Sequence, residues 1–171
     1  EVVEHLIELG HRRIGFVGAE ALPSIRDRLR GYRSAMRQHG LPVDEAWIQA
    51  GPTVDDDSGR QAAHMLLDLP ADQRPTAVFG AFDILAETVA MVARERGLTV
   101  PKDLSIVGFD DIVPSPEHPA WLTTYAQPKQ RIGQHAARLL IERIQHPATS
   151  TVTLLLEGRL IKRASTAAPP E

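Results

Sequence analysis

Five polar side chains fall where short apolar runs give way to glycine and polar residues: Ser24, Arg28, Asp83, Asp110 and Asp111. Together they offer one permanent cation and several acceptors. A guanidinium fork beside a carboxylate suits a small neutral ligand rich in hydroxyls or ring nitrogens. Hydrogen bonds to charged groups contribute about 1.5–3 kcal/mol each, so a few of them orient such a molecule. Plainer roles stand beside this one. Ser24 is also placed to cap a helix, and Arg28 lies on an arginine-rich helix where a solvated charge is ordinary. Asp110 and Asp111 at a strand end are equally suited to capping the next turn, and the neighbouring Phe82 to filling core.

Other chemistries lack their residues. The chain has no cysteine, so disulfides, thiolate catalysis and cysteine-ligated zinc are excluded. Its seven histidines show no HExxH spacing, and the GxSxG elbow and the P-loop pattern are absent. The Asp55-Asp56-Asp57 run lacks the glycine and distal glutamate of a calcium loop. It precedes a helix, where acidic residues meet the positive end of the dipole. A phosphoryl-transfer site built on Asp110 and Asp111 needs its acidic pair after an early strand and a lysine near a late one. Here the pair comes late and no lysine is suitably placed. No catalytic residue, metal or cofactor is therefore expected.

Composition narrows the class further. Net charge is −3 over 171 residues, whereas a module gripping DNA phosphates by itself needs a basic excess. Hydrophobic residues make up 43%, enough for a real core in one domain or lobe. No apolar run reaches the ~18 residues of a membrane span. Glu1 to Leu9 reads as the back half of a helix rather than a signal segment, which predicts a natural protein that continues upstream.

The elements that must position these residues follow a βαβ rhythm, predicting an α/β fold with a doubly wound, mostly parallel sheet and helices on both faces. After the first helix and its stop at Gly10, Arg13 to Gly18 reads as a buried strand. A helix introduced by Pro23 and Ser24, with Ser24 and Asp27 in capping-box spacing, carries the stripe Ile25, Leu29, Tyr32 and Met36. Trp47 to Ala50 reads as a strand. A helix capped near Ser58 presents Ala62, Met65, Leu66 and Leu69. Thr76 to Gly80 is a strand, Asp83 caps a helix facing inward with Leu85, Val89 and Val92, and Leu104 to Gly108 is a strand. Leu122 to Gln127 is extended. Pro128 opens a helix whose expected core face is Ile132, Ala136, Leu139, Leu140 and Ile144. Val152 to Leu156 and Leu160 to Lys162 read as closing strands, and Ala164 to Glu171 as a frayed tail. In such a sheet ligands bind beyond the carboxyl ends of the strands. That rule selects the loops 18–28, 51–58, 80–83 and 108–111.

These same loops carry a resemblance. Gly10-His11-Arg12-Arg13-Ile14, the Ser24…Arg28-x-x-Gly31-Tyr32 spacing, Ser105 to Asp111, Leu122-Thr123-Thr124…Gln127-Pro128 and Leu160-Ile161-x-Arg163-x-Ser165-Thr166 resemble the lactose/galactose-repressor family of bacterial transcription regulators. Each string is weak alone; in order and with family-like gaps over nearly the whole chain they are specific. The resemblance implies a lobe of a periplasmic-binding-protein-like core. Residues 1–127 and 148–166 would form the C-terminal lobe and 128–147 a helix of the N-terminal lobe, with 167–171 a frayed tail. The helix-turn-helix head and the first half of the core would lie outside the chain. It further implies a cytoplasmic homodimer that is not an enzyme, senses a small sugar-like or nucleobase-like effector, and contacts operator DNA through the missing head. Arg28, Asp110 and Ser24 match the family's effector-binding positions.

Two departures qualify that expectation. The family's usual Asn-Asp is here Phe82-Asp83, which removes an amide and suggests Phe82 as an apolar platform beside the ligand. The position of a stacking aromatic falls near Thr53 or Val54, in a loop one residue longer. A solute-binding protein of a transport system shares the same core and is the alternative function.

Overall fold

The computed structural model describes residues 1–19, 21–51, 56–112 and 120–170. Helices α1 (Val2–Glu8), α2 (Pro23–Gln38), α3 (Asp56–Leu67) and α4 (Asp83–Glu95) alternate with strands β1 (Ile14–Ala19), β2 (Ile48–Gly51), β3 (Ala77–Gly80) and β4 (Ser105–Phe109). Then come β5 (Thr123–Ala126), α5 (Lys129–Gln145) and β6 (Arg159–Ile161).

The strands form one sheet in the order β2-β1-β3-β4-β5-β6. Neighbours run parallel except β6, which is antiparallel to β5. The chain steps to one side of β1 to make β2 and to the other to make β3. Right-handed crossovers then put α2 and α3 on opposite faces. The packing agrees, with α1 against α2 and α3 against α4. This is the doubly wound architecture the sequence predicts, and its reversal point lies between β1 and β3. Both those strands are buried along their whole length, as strands covered on two faces must be.

Local chemistry explains most elements. The α2 stripe Ile25, Leu29, Tyr32 and Met36 is buried, and the Tyr32 hydroxyl donates to the Ile14 carbonyl at 2.7 Å, fixing the helix on β1. Gly10 follows α1 with φ +105°, a left-handed conformation that ends the helix. Leu85, Val89 and Val92 face inward from α4 as expected.

Several expectations are corrected. The N-cap of α2 is Leu22, with no side-chain cap; Ser24 lies inside the first turn. Likewise α3 starts at Asp56, so Ser58 is already helical, and α4 is capped by Phe82 rather than Asp83. Trp47 closes a short 3-10 turn, Glu45–Trp47, just before β2. Met65 is 59% exposed, and the buried face of α3 uses Ala63 and Leu67 beside Ala62 and Leu66. Residues 152–156 form no strand. The expected core face of α5 is not buried among the described residues: none of its residues is buried, and Ile144 is 69% exposed.

Residues 164–167 are held rather than frayed. Ser165 is fully buried; its Oγ accepts from the Thr123 N–H at 2.7 Å and donates to the Ile106 carbonyl at 2.6 Å. Ala167 exchanges hydrogen bonds with Ser105 and accepts one from His11. The Ser165 hydroxyl thus satisfies backbone groups that the end of the sheet leaves buried.

Candidate functional site

Beside the reversal point, beyond the carboxyl ends of the strands, the second turn of α2 meets the end of β3 and the end of β4. Arg28 sits there with its side chain 16% exposed. Its Nη1 donates to the Ala81 carbonyl at 2.5 Å, just past β3. Its Nη2 lies 3.5 Å from Asp110 Oδ1, just past β4. The guanidinium carbon stands 3.7 Å from the centre of the Phe109 ring. Burial draws the Arg28 pKa below its ordinary value, opposed by the charges of Asp110 and Asp83. An arginine stays charged under that shift, so the crevice holds a neutralised but polar ion pair.

Asp110 is built into place by backbone strain and by β5. Its φ is +111° and that of Asp111 is +51°, both in the region non-glycine residues avoid. The Asp110 N–H donates to the Tyr125 carbonyl at 2.9 Å, and Gln127 Nε2 donates to Asp110 Oδ1 at 2.5 Å. The carboxylate is 27% exposed. Asp111 turns the other way, pairing through Oδ1 with Arg163 at 2.7 Å while its carbonyl accepts from Lys129. The acidic pair is thus divided, one residue at the crevice and one fastening the chain's closing segment.

The site residues expected from sequence fare differently. Arg28 and Asp110 meet. Ser24 is exposed one turn before Arg28 on α2, on the same side of the helix. Phe82 is half-buried at the start of α4 and packs on the core. Asp83, expected among the ligand contacts, is only 4% exposed and spends both oxygens inside the fold. Oδ1 accepts from the Thr124 hydroxyl at 2.6 Å and Oδ2 from the Ile112 N–H at 2.7 Å. Burial raises its pKa, against those two hydrogen bonds and with help from Asp110 and Asp111. Its work is to join α4 to the loop after β4. Thr53 and Val54 lie outside the described residues.

Gln127, Phe109 and Tyr125 were not singled out by chemistry, although all three stand at the ends of β4 and β5. Their only signal was membership in the Ser105 to Asp111 and Leu122 to Pro128 strings. A cavity of about 340 Å³ opens beside them, lined by Arg28, Tyr32, Phe79, Phe109 and Tyr125 together with the start of α1.

The geometry has close counterparts. The family described as periplasmic binding protein-like domain matches residues 3–166. The HTH-type transcriptional repressor CytR of Escherichia coli (strain K12) is 41% identical over 99% of this chain and 49% of its own length. A LacI family transcriptional regulator from Enterococcus faecium with bound ribose superposes with a TM-score of 0.85 at 34% identity, over 97% of this chain and 61% of that one. The complex of the transcriptional regulator CelR with cellobiose gives 0.84 at 36% identity, over 96% and 50%. The chain spans about half the length of the curated relatives it matches.

Proposed function

This chain belongs to the periplasmic binding protein-like domain family, and from that premise we propose that it is the effector-sensing part of a DNA-binding transcription repressor. The observation that carries the reading is the meeting of Arg28 and Asp110 at 3.5 Å beyond the strand ends. The ion pair offers donors and acceptors without net charge, which suits a neutral sugar-like or nucleobase-like effector. Ribose and cellobiose in the two related structures are molecules of this polar, uncharged kind. Ser24 and Phe82 flank the pair as further contacts, and Asp83 supports the loop that carries Asp110.

The effector would close the crevice against a second lobe. Helix α5 belongs to that lobe in this reading, which accounts for an apolar stripe with nothing buried. The exposed Ile84 and Met91, two turns apart on α4, with Ile112 nearby, support a homodimer. Operator DNA would be held by paired helix-turn-helix heads outside these 171 residues, in the cytoplasm. Ligand changes operator binding only through different affinities for open and closed forms. The curated relatives are repressors, which favours this reading over a transport role. They are regulators and not enzymes. Among the described residues no helix is long and apolar enough to cross a membrane.

The test is thermal unfolding of the intact protein with ribose, cellobiose, ribitol, adenine or cytosine. At a concentration 100-fold above Kd a ligand adds about 2.7 kcal/mol to stability. The stabilised complex is expected to be lost in Arg28→Ala and Asp110→Asn. Stabilisation that survives both substitutions places the effector elsewhere and overturns the reading.

A further inference from the structure

The ends of β4 and β5 hold the two halves of the polar pair. Phe109 and Tyr125 are register partners on β4 and β5, so their rings project from the same side of the sheet. They stack with centroids 5.0 Å apart and planes 22° from parallel. The outer face of the Phe109 ring carries the Arg28 guanidinium. The carbonyl of Tyr125 and the amide of Gln127 hold Asp110.

Behind Tyr125 lies Gly158. A β-carbon there would stand 2.5 Å from Tyr125 Cε1 and 2.4 Å from the Ala126 carbonyl oxygen, so only hydrogen fits. Gly158 immediately precedes β6, the strand by which the chain returns from α5 and pairs Leu160 with Tyr125. Backbone, phenol ring, benzyl ring and guanidinium therefore form a continuous stack from the returning segment to the crevice. Rings in face contact pass on a displacement directed along the stack, although their other sides border the cavity.

We propose that Tyr125 and Phe109 are positioning residues for Arg28, and that through Gly158 they tie its placement to the segment returning from α5. This rests on Arg28 serving the effector site. A movement of the helix connections shifts the rings behind Arg28 and the hydrogen bonds on Asp110 together, so both grips change as one.

Proton–nitrogen NMR of the Arg28 Nε–H group in the 171-residue chain tests this without ligand, the resonance being assigned by its loss in Arg28→Lys. A proton held over a ring face is shielded, so disturbing the stack moves the signal downfield. Gly158→Ala and Tyr125→Leu are each expected to produce that shift, and the Gly158→Ala shift to shrink at least about twofold once Tyr125 is leucine, the remainder coming from the Ala126 carbonyl. Gly133→Ala, on open α5 surface, is expected to leave it in place. Tyr125→Leu adds no bulk and covers the case in which Gly158→Ala does not fold. An Arg28 signal unmoved by Tyr125→Leu overturns the proposal, as does a Gly158→Ala shift that is undiminished in the Tyr125→Leu background. Failure of effector binding in the thermal test would leave this spectroscopic result standing, so the two readings fail separately.

Discussion

The Asp83 carboxylate occupies the place where a β-carbon on residue 108 would have to go: such a carbon would lie 2.2 Å from Oδ1. The glycine in the Ser105 to Asp111 string is thus the seat of a buried carboxylate rather than a flexible joint. Gly108→Ala is expected to destabilise the fold by about 2 kcal/mol or more, in the range of overpacked cores. Combining it with Asp83→Ala, which clears the space, should cost less than the sum of the two. Urea unfolding of the double-mutant cycle measures this, and strict additivity would rule out the fit.

Asp110 sits at φ +111°, so the crevice carries backbone strain. Substituting alanine removes the carboxylate and keeps the strain; substituting glycine removes both. Asp110→Gly is expected to be more stable than Asp110→Ala by about 1 kcal/mol, while both lose ligand. Equal melting temperatures for the two variants would show that the turn stores no strain.

Ser165 links β4 and β5 through one hydroxyl that accepts from Thr123 and donates to Ile106. Ser165→Ala leaves a buried N–H without its partner and should cost about 2 kcal/mol. Ser150→Ala, on an exposed position, should stay within about 0.5 kcal/mol. Chemical denaturation of the two variants side by side distinguishes a docked tail from a loose one.

Burial lowers the pKa of His11 below its ordinary 6.5, against the hydrogen bond to Ala167 and with help from His5. His5 is lowered by burial too. The folded state therefore binds fewer protons than the unfolded chain below pH 6.5. Their contribution is complete above that pH and is lost as pH falls, with a ceiling near about 1.4 kcal/mol per pH unit for each proton. Asp83 acts in the opposite sense, because burial raises its carboxyl above 3.8 and acid then favours the folded state. Unfolding free energy is expected to fall between pH 7 and 5, with a shallower slope in His11→Gln. An unchanged slope in that variant would assign the acid sensitivity elsewhere.

Ile132, Leu140 and Ile144 are 42%, 61% and 69% exposed on α5. Replacing each by serine in this chain should change unfolding free energy by no more than about 0.5 kcal/mol. Leu85→Ala in α4, a fully packed position, should cost about 2–5 kcal/mol. Losses of that size from the α5 variants would mean that the stripe is covered within the chain.

The alternation of apolar runs and amphipathic stretches by itself determined the succession of β1 to β4 along the chain and the buried stripe of α2, but not the strands' order in the sheet. Periodicity is a local property, and the sheet needs only that each element expose its apolar face. The strand-end rule then placed Arg28 and Asp110 at a common edge. What the sequence could not specify was partnership. Ser24 and Asp83 carry the residue types of helix caps, yet Leu22 and Phe82 hold those positions, because Asp83 is drawn to Thr124 and Ile112 across the sheet. Ala164 to Ala167 have the composition of a frayed end, yet buried backbone groups on β4 and β5 claim the Ser165 hydroxyl. The α5 stripe reads as core although none of it is buried among the described residues. Hydrogen-bond demand and free volume are settled between segments far apart in sequence, so only the closed tertiary structure decided which polar group met which, and which apolar face stayed exposed.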